Sequence, residues 1–210
     1  MRFFTVFSFF AIVICATTGQ HCTTSPSNVP KTWIDMVSPC VQSVRAQIQE
    51  EMNASMKYLA MGAHFSRDTI NRPGFAKLFF KAASEEREHA IKLINYLLMR
   101  GELVSNVSKL IKTTINVPNT YWKSGTAALE DALETEAYVT KKIRSVIASC
   151  DNPNDGSGFI DYHLSDYLTG DFLDEQYKGQ KELADKLSQL QKLMGKHGHL
   201  GEFLFDKKLL

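Results

Sequence analysis

Glu86 and His89 stand three residues apart in a stripe that is otherwise apolar. Phe75, Phe79, Ala82, Glu86, His89, Leu93 and Leu97 follow alternating four- and three-residue steps, the spacing of a helix face turned toward a bundle core. Residues three apart lie about 60° from each other around an α-helix, so both side chains can reach one point. Left unpaired in an apolar interior, each would cost several kcal/mol. A carboxylate and an imidazole aimed at one buried point suit a metal ion, which would supply the missing compensation.

The anomaly recurs on three more stripes. Val44, Ile48, Glu51, Ser55, Tyr58, Gly62 and Phe65 form one, with Glu51 and Tyr58 nearly superimposed down the helix axis. Leu129, Leu133, Glu136, Thr140, Ile143 and Ile147 form another, with Glu136 on the core line. Leu173, Gln176, Leu183, Leu187, Leu190 and Met194 form the last, with Gln176 in the apolar row. Each stripe is interrupted near its middle. Four antiparallel helices would bring the polar residues to a common level, which is how a metal site is built inside a helical bundle.

The elements that must position these residues can be bounded. A first helix is expected from Ser38 to Arg67, a turn over Asp68–Gly74, and a second helix up to Arg100, stopped by Gly101. Residues 102–121 are too long and irregular for a tight turn and suit a crossover along the bundle. A third helix is expected over Lys123–Cys150. A fourth covers Gly158–Met194 with a kink near Gly170, and a short last helix, Leu200–Lys208, follows a flexible linker at residues 195–199 that includes His197 and His199. The 210 residues, 44% hydrophobic and 22% charged, are enough for one domain with a substantial core. A formal charge of +1 gives no support to nucleic-acid binding.

The N-terminus reads differently. Arg2, the apolar run Phe3–Cys15 and the small residues after it have the form of a signal peptide, 1–19, too short for a comfortable membrane span. The alternative is an N-terminal anchor. A cysteine-containing extension, 20–37, follows. Secretion makes disulfides expected. Cys22, Cys40 and Cys150 remain after cleavage; three cannot all pair within the chain, and Cys22 and Cys40 are the favoured disulfide formers, with the pairing open. Of two sequons, Asn106 in the crossover could carry an exposed glycan, whereas Asn53 lies inside the first helix, where a glycan would be awkward.

Five blocks in this register resemble a ferritin: Glu51–Leu59, the run Glu85-Glu86-Arg87-Glu88-His89-Ala90, Trp122–Gly125, Asp174-Glu175-Gln176 and Glu202–Lys207. The resemblance spans 38–210 and implies an all-α, ferritin-like four-helix bundle with one long crossover and a short fifth C-terminal helix. The signal peptide and extension are similar to those of secreted arthropod ferritins. Of the family's two kinds of chain, this one resembles the oxidising, heavy-type subunit. By position, Glu51, Glu86 and His89 match the ligands of a first iron site. Glu86 bridges to a second whose main ligand matches Glu136. Gln176 matches the residue that orients water or oxygen, and Tyr58 the tyrosine beside the site. Tyr58 could supply an electron or a hydrogen bond; alternatively it is a core tyrosine satisfied by Glu86.

The resemblance implies a ferroxidase: Fe(II) oxidised by O2 at a dinuclear iron site, then stored as mineral in a shell of twenty-four subunits, homomeric or mixed with a light-type chain joined through Cys22 or Cys40. Asp166 matches one acidic residue of the threefold channel, but Thr169 occupies the other position, so Asp171 or Asp161 could contribute. Glu85 and Glu88 could face the mineral cavity, or form a solvated charged face. Leu204 matches the apolar ring of the fourfold channel. A non-catalytic shell or carrier subunit would lack several of these glutamates. A secreted four-helix signalling protein would give no reason for polar residues on four core stripes.

Overall fold

Where each helix begins follows from residues that need no backbone donor or that supply an acceptor. Pro39 lies in the first turn of α1 (Ser38–Ser66) and Pro73 in the first turn of α2 (Pro73–Met99), where a missing N–H costs nothing. Ser124 caps α3 (Gly125–Asp151) by accepting from the Ala127 N–H at 3.1 Å. Asp161 caps α4 (Tyr162–Tyr167) in the same way, accepting from the Leu164 N–H at 3.1 Å. A π-helical turn, Leu168–Leu173, joins α4 to α5 (Asp174–His197), and α6 (His199–Leu209) follows.

The structure, a computed structural model, describes residues 28–102, 110–111, 115, 117 and 119–210. The expected signal peptide, Cys22 and Asn106 lie outside the described residues. The chain divides into two units, Met1–Lys31 and Thr32–Leu210. In the first, residues 28–31 are described and carry no regular secondary structure. Among the described residues of the second, all regular structure is helical, and no helix is long and apolar enough to cross a membrane.

Cross-helix contacts give the topology. Phe65 stacks on Phe75 across the α1–α2 turn, and the Ser55 hydroxyl donates to the Ala83 carbonyl at 2.6 Å, so the two helices are antiparallel. Cys40 near the start of α1 is bonded to Cys150 near the end of α3, and Lys57 meets Asp131 at 2.5 Å, so α1 and α3 are antiparallel too. Thus α2 and α3 run the same way, and the path from Arg100 to Ser124 joins opposite ends of the bundle, about 40 Å apart for a 27-residue helix at 1.5 Å per residue. Glycine is required where this path begins: Gly101 has φ of 79°, and a Cβ there would come within 2.7 Å of the Trp33 ring.

The fourth helix is not an uninterrupted α-helix. Leu164, Leu168, Phe172 and Gln176 are all buried and each four residues apart. Four residues of α-helix overshoot a full turn by about 40°, so three such steps would carry Gln176 roughly 120° off the core line. The wider π turn at Leu168–Leu173 absorbs that drift where a kink near Gly170 was expected. Residues 195–199 also depart from expectation: the helix runs through His197, and only Gly198, at φ 54°, breaks it. Asn53 sits half-buried within α1, bonded to the side chains of Gln49 at 3.1 Å and Glu50 at 3.4 Å, as its awkward position implied.

Two apolar clusters fill the bundle. One is built on Val44, Ile48, Leu93, Leu97, Ile143 and Phe172, the other on Phe65, Phe75, Phe79, Leu129, Leu190 and Phe205. The polar members of the four stripes lie between them. The disulfide closes the end of the first cluster and involves Cys40, which is therefore occupied within the chain and unavailable to a second chain.

At the opposite end, α6 is fastened by carboxylates. Asp206, fully buried, accepts from the Phe75 N–H at 3.0 Å, and Glu202 accepts from the Gly125 N–H at 3.0 Å while pairing with Arg72 at 3.3 Å. These acids satisfy the open N-termini of α2 and α3, where the helix dipole favours negative charge. The approach is close enough that a Cβ on Gly74 would lie 2.0 Å from the Asp206 carbonyl oxygen. Replacing Asp206 with Ala should lower unfolding free energy by about 1–2 kcal/mol. Asp206→Asn, which keeps an acceptor, should recover much of that loss. Denaturant melts that show no difference between wild type and Asp206→Ala would refute the capping role.

Candidate metal centre

Each helix places one face of its stripe at the same level. From α1 come Glu51, Ser55 and Tyr58; from α2, Glu86 and His89; from α3, Glu136 and Thr140; from α5, Gln176. All are buried. One ligand atom from each of Glu51, Glu86 and His89 lies within 4.8 Å of the other two, a group that could hold a metal ion. His89 Nδ1 is 3.7 Å from Glu86 Oε1 and 3.9 Å from Glu51 Oε2. Glu51 Oε2, Glu86 Oε2 and His89 Nδ1 are buried with no hydrogen-bond partner among the described residues. Three convergent orphan donors of hard oxygen and imidazole nitrogen fit a divalent cation such as iron.

Glu136 and Gln176 adjoin this group across the bundle. Tyr58 donates to Glu136 Oε1 at 2.5 Å, so the tyrosine is satisfied by Glu136 and not by Glu86. Thr140 donates to the Gln176 carbonyl oxygen at 2.8 Å, leaving the Gln176 amide turned toward Glu136, which it bonds. Gln180 in turn donates to Thr140 at 2.6 Å. The chain thus fixes which end of Gln176 faces Glu136.

The electrostatics are those of acids deprived of water. Burial pushes Glu51 well above the ordinary carboxylate range, and repulsion from Glu86 adds to it. Burial also raises Glu86 to about 8, with Glu136 repelling it, although its hydrogen bond with Glu51 pulls the other way. Glu136 is raised by burial as well, against the pull of its bonds from Tyr58 and Gln176. Tyr58 rises far above its usual value because it is buried beside Glu136. Burial favours the protonated form of these carboxylates, and a cation would favour the ionised form.

A cleft of about 430 Å³ opens from this level between α2 and α5. Glu86, His89, Glu136 and Gln176 line its inner part, and Glu85, Glu88, Glu175 and Glu182 its mouth, interleaved with four lysines. Glu85 is exposed and pairs with Lys81 at 2.7 Å; Glu88 is exposed too.

Other expected positions sort cleanly. Asp166, Thr169 and Asp171 are exposed on α4 and the π turn. Asp161 is engaged within the subunit: it is buried, caps α4 and pairs with Arg100 at 3.0 Å. Leu204 is exposed on α6, and His197 and His199 are exposed on either side of Gly198. Two residues at the site carry no expected role. Gln47, one turn before Glu51 and 1% exposed, donates to Glu51 Oε1 at 2.8 Å. Its signal was present, since it is polar and four residues from Glu51. Glu175 bonds His89 Nε2 at 2.9 Å. Burial raises the Glu175 carboxyl, but His89 and Lys92 outweigh that and hold it below its usual range.

With this geometry in place, comparison with known proteins gives a consistent result. Residues 42–193 match the ferritin-like domain. A ferritin heavy chain of Trichoplusia ni is 58% identical over 205 residues, covering 98% of this chain and 95% of its own length. One from Papilio xuthus is 61% identical over 193 residues, covering 91% and 89%. The crystal structure of a Trichoplusia ni secreted ferritin matches with a TM-score of 0.84 at 61% identity, over 90% of this chain and 96% of that one. Matched along nearly its whole length in sequence and in fold, the chain belongs to the ferritin family.

Proposed function

We propose that this chain is an iron-storage subunit with ferroxidase activity. The observation that carries the reading is the set of three orphaned buried donors on Glu51, Glu86 and His89, with Glu136 and Gln176 adjoining. Fe(II) is the substrate. Glu51 and His89 would hold one ion, Glu86 would bridge, and Glu136 would hold a second. Two ions held together can each give one electron to the same O2. Gln176 is neutral where a further glutamate would bind Fe(III) more firmly, and its amide is aimed by Thr140 toward the second position. The product could then move on through the cleft toward Glu85 and Glu88. Tyr58, donating to Glu136, stands where it could pass a proton or an electron.

The same reading extends to assembly. Apolar side chains such as Leu59, Ile91, Leu98 and Leu204 are between 44% and 50% exposed on the isolated subunit, as neighbours in a twenty-four-subunit shell would require. Leu204 suits an apolar ring around a fourfold axis, and exposed Asp166 and Asp171 suit an access channel in which Thr169 is neutral. Residues 1–19 would direct the chain into the secretory pathway, for secretion or retention in its vesicles. A light-type partner, if covalently joined, would use Cys22. The alternative, a non-catalytic shell or carrier subunit, leaves the buried donor set without a purpose.

Aerobic addition of Fe(II) to the purified, metal-free protein tests the chemistry directly. Glu86→Ala and His89→Ala should each lower the initial oxidation rate by about tenfold or more. An unchanged rate in both would sink the ferroxidase reading.

The raised carboxylates also set a pH dependence. The folded protein keeps a proton on Glu86 up to about 8, whereas the unfolded chain releases it near the ordinary value of 4.5. The unfolded state therefore binds fewer protons in that interval, and metal-free stability should fall as pH rises through it. Cation affinity should move the other way, rising from pH 6 to 8 with release of protons. Calorimetric Co(II) titrations in buffers of different ionisation enthalpy measure both. The metal-free melting temperature of Glu86→Gln should be higher than that of wild type and flatter with pH. Proton-neutral, pH-independent Co(II) binding would contradict the assignment.

A further inference from the structure

The imidazole of His89 is held from both sides. Its Nδ1 faces Glu51 and Glu86 and has no hydrogen-bond partner, while its Nε2 lies 2.9 Å from Glu175 Oε2 on the neighbouring helix. The Phe172 ring packs against the imidazole, centroids 5.5 Å apart. Glu175 is itself held: Lys92 Nζ, one turn beyond His89 on α2, is 3.3 and 3.4 Å from its two carboxylate oxygens. A neutral imidazole carries one proton, and it can offer a lone pair at Nδ1 only if that proton sits on Nε2. A carboxylate accepting at Nε2 selects that tautomer and fixes the plane of the ring.

Glu175 is 51% exposed at its side chain, adjacent to Gln176 and at the mouth of the cleft, not in its buried floor. We infer that Glu175 is a positioning residue of the metal centre. It accepts the Nε2–H of His89, turns the Nδ1 lone pair toward the point shared by Glu51 and Glu86, and ties α5 to α2 across the cleft. It does not itself bind the cation in that position. This rests on the reading of Glu51, Glu86 and His89 as a metal site.

Co(II) titration of the assembled, metal-free protein, followed by visible absorption and calorimetry, reads the effect without any oxidation step. Glu175→Ala should weaken binding at this site by about 10- to 100-fold, the usual effect of removing the hydrogen-bond partner of a ligating histidine. Glu175→Gln keeps an acceptor oxygen and should restore most of the affinity. In a His89→Ala background, Glu175→Ala should add nothing, because the residue acts through the imidazole. Three results would overturn the assignment: affinity unchanged in Glu175→Ala, a Gln variant as weak as the Ala variant, or a loss that persists without His89. The last two would mark Glu175 as a ligand in its own right. A wild-type protein whose Co(II) binding is indifferent to Glu86→Ala would overturn the metal site itself along with this role, a failure distinct from indifference to Glu175 alone.

Discussion

Three carboxyl groups and an imidazole taken out of water at one level of a helical bundle govern the design around them. Charged acids in an apolar interior repel one another and lose hydration that no arrangement of leucines can replace. Without a cation, burial holds Glu51 and Glu86 above the ordinary carboxylate range, and Glu136 accepts from Tyr58 and Gln176. That arrangement is a resting compromise: Glu51 Oε2, Glu86 Oε2 and His89 Nδ1 still lack partners. The apolar core is built as two clusters on either side, so that packing is tight above and below the level where it is deliberately incomplete.

Bringing four helices into register at that level takes devices spread along the whole subunit. The Cys40–Cys150 bond pins the ends of α1 and α3, and the paired residues Lys57 and Asp131 fix their relative slide. Asp206 and Glu202 hold the other end of the bundle by capping α2 and α3. The π turn then rotates α5 so that Gln176 faces inward and Glu175 reaches His89. Helix periodicity alone would have delivered only part of this set.

What was legible in the sequence follows from the same physics. The stripes through Glu51, Glu86, His89 and Glu136 stood out because polar residues on a 3.6-residue apolar line are costly, and the bundle follows from them; the ferritin resemblance rests on the five sequence blocks. The π turn was legible only as a kink near Gly170; its type was not, since it uses the same residue types as an α-helix. Glu175 was hidden because it lies beside the stripe and gains its role from a histidine 86 residues away. The capping role of Asp161 was not read because a cap and a channel both favour aspartate in a loop. Its partner Arg100 could be identified only in three dimensions. Cysteine pairing is likewise a matter of distance, and nothing in composition joins Cys40 to Cys150.

The fastening of α6 has a consequence for biosynthesis. Asp206 accepts from the backbone of Phe75, 131 residues earlier in the chain, and Glu202 reaches back 77 residues to Gly125. At ordinary elongation rates, the second helix therefore waits on the order of ten seconds for the residue that caps it. Until then its first turn has exposed amide donors and the phenylalanine cluster beneath it is uncovered. The end of the bundle can be sealed only once the ribosome has made the last helix, so the nascent chain depends on being kept from other hydrophobic surfaces until that helix emerges.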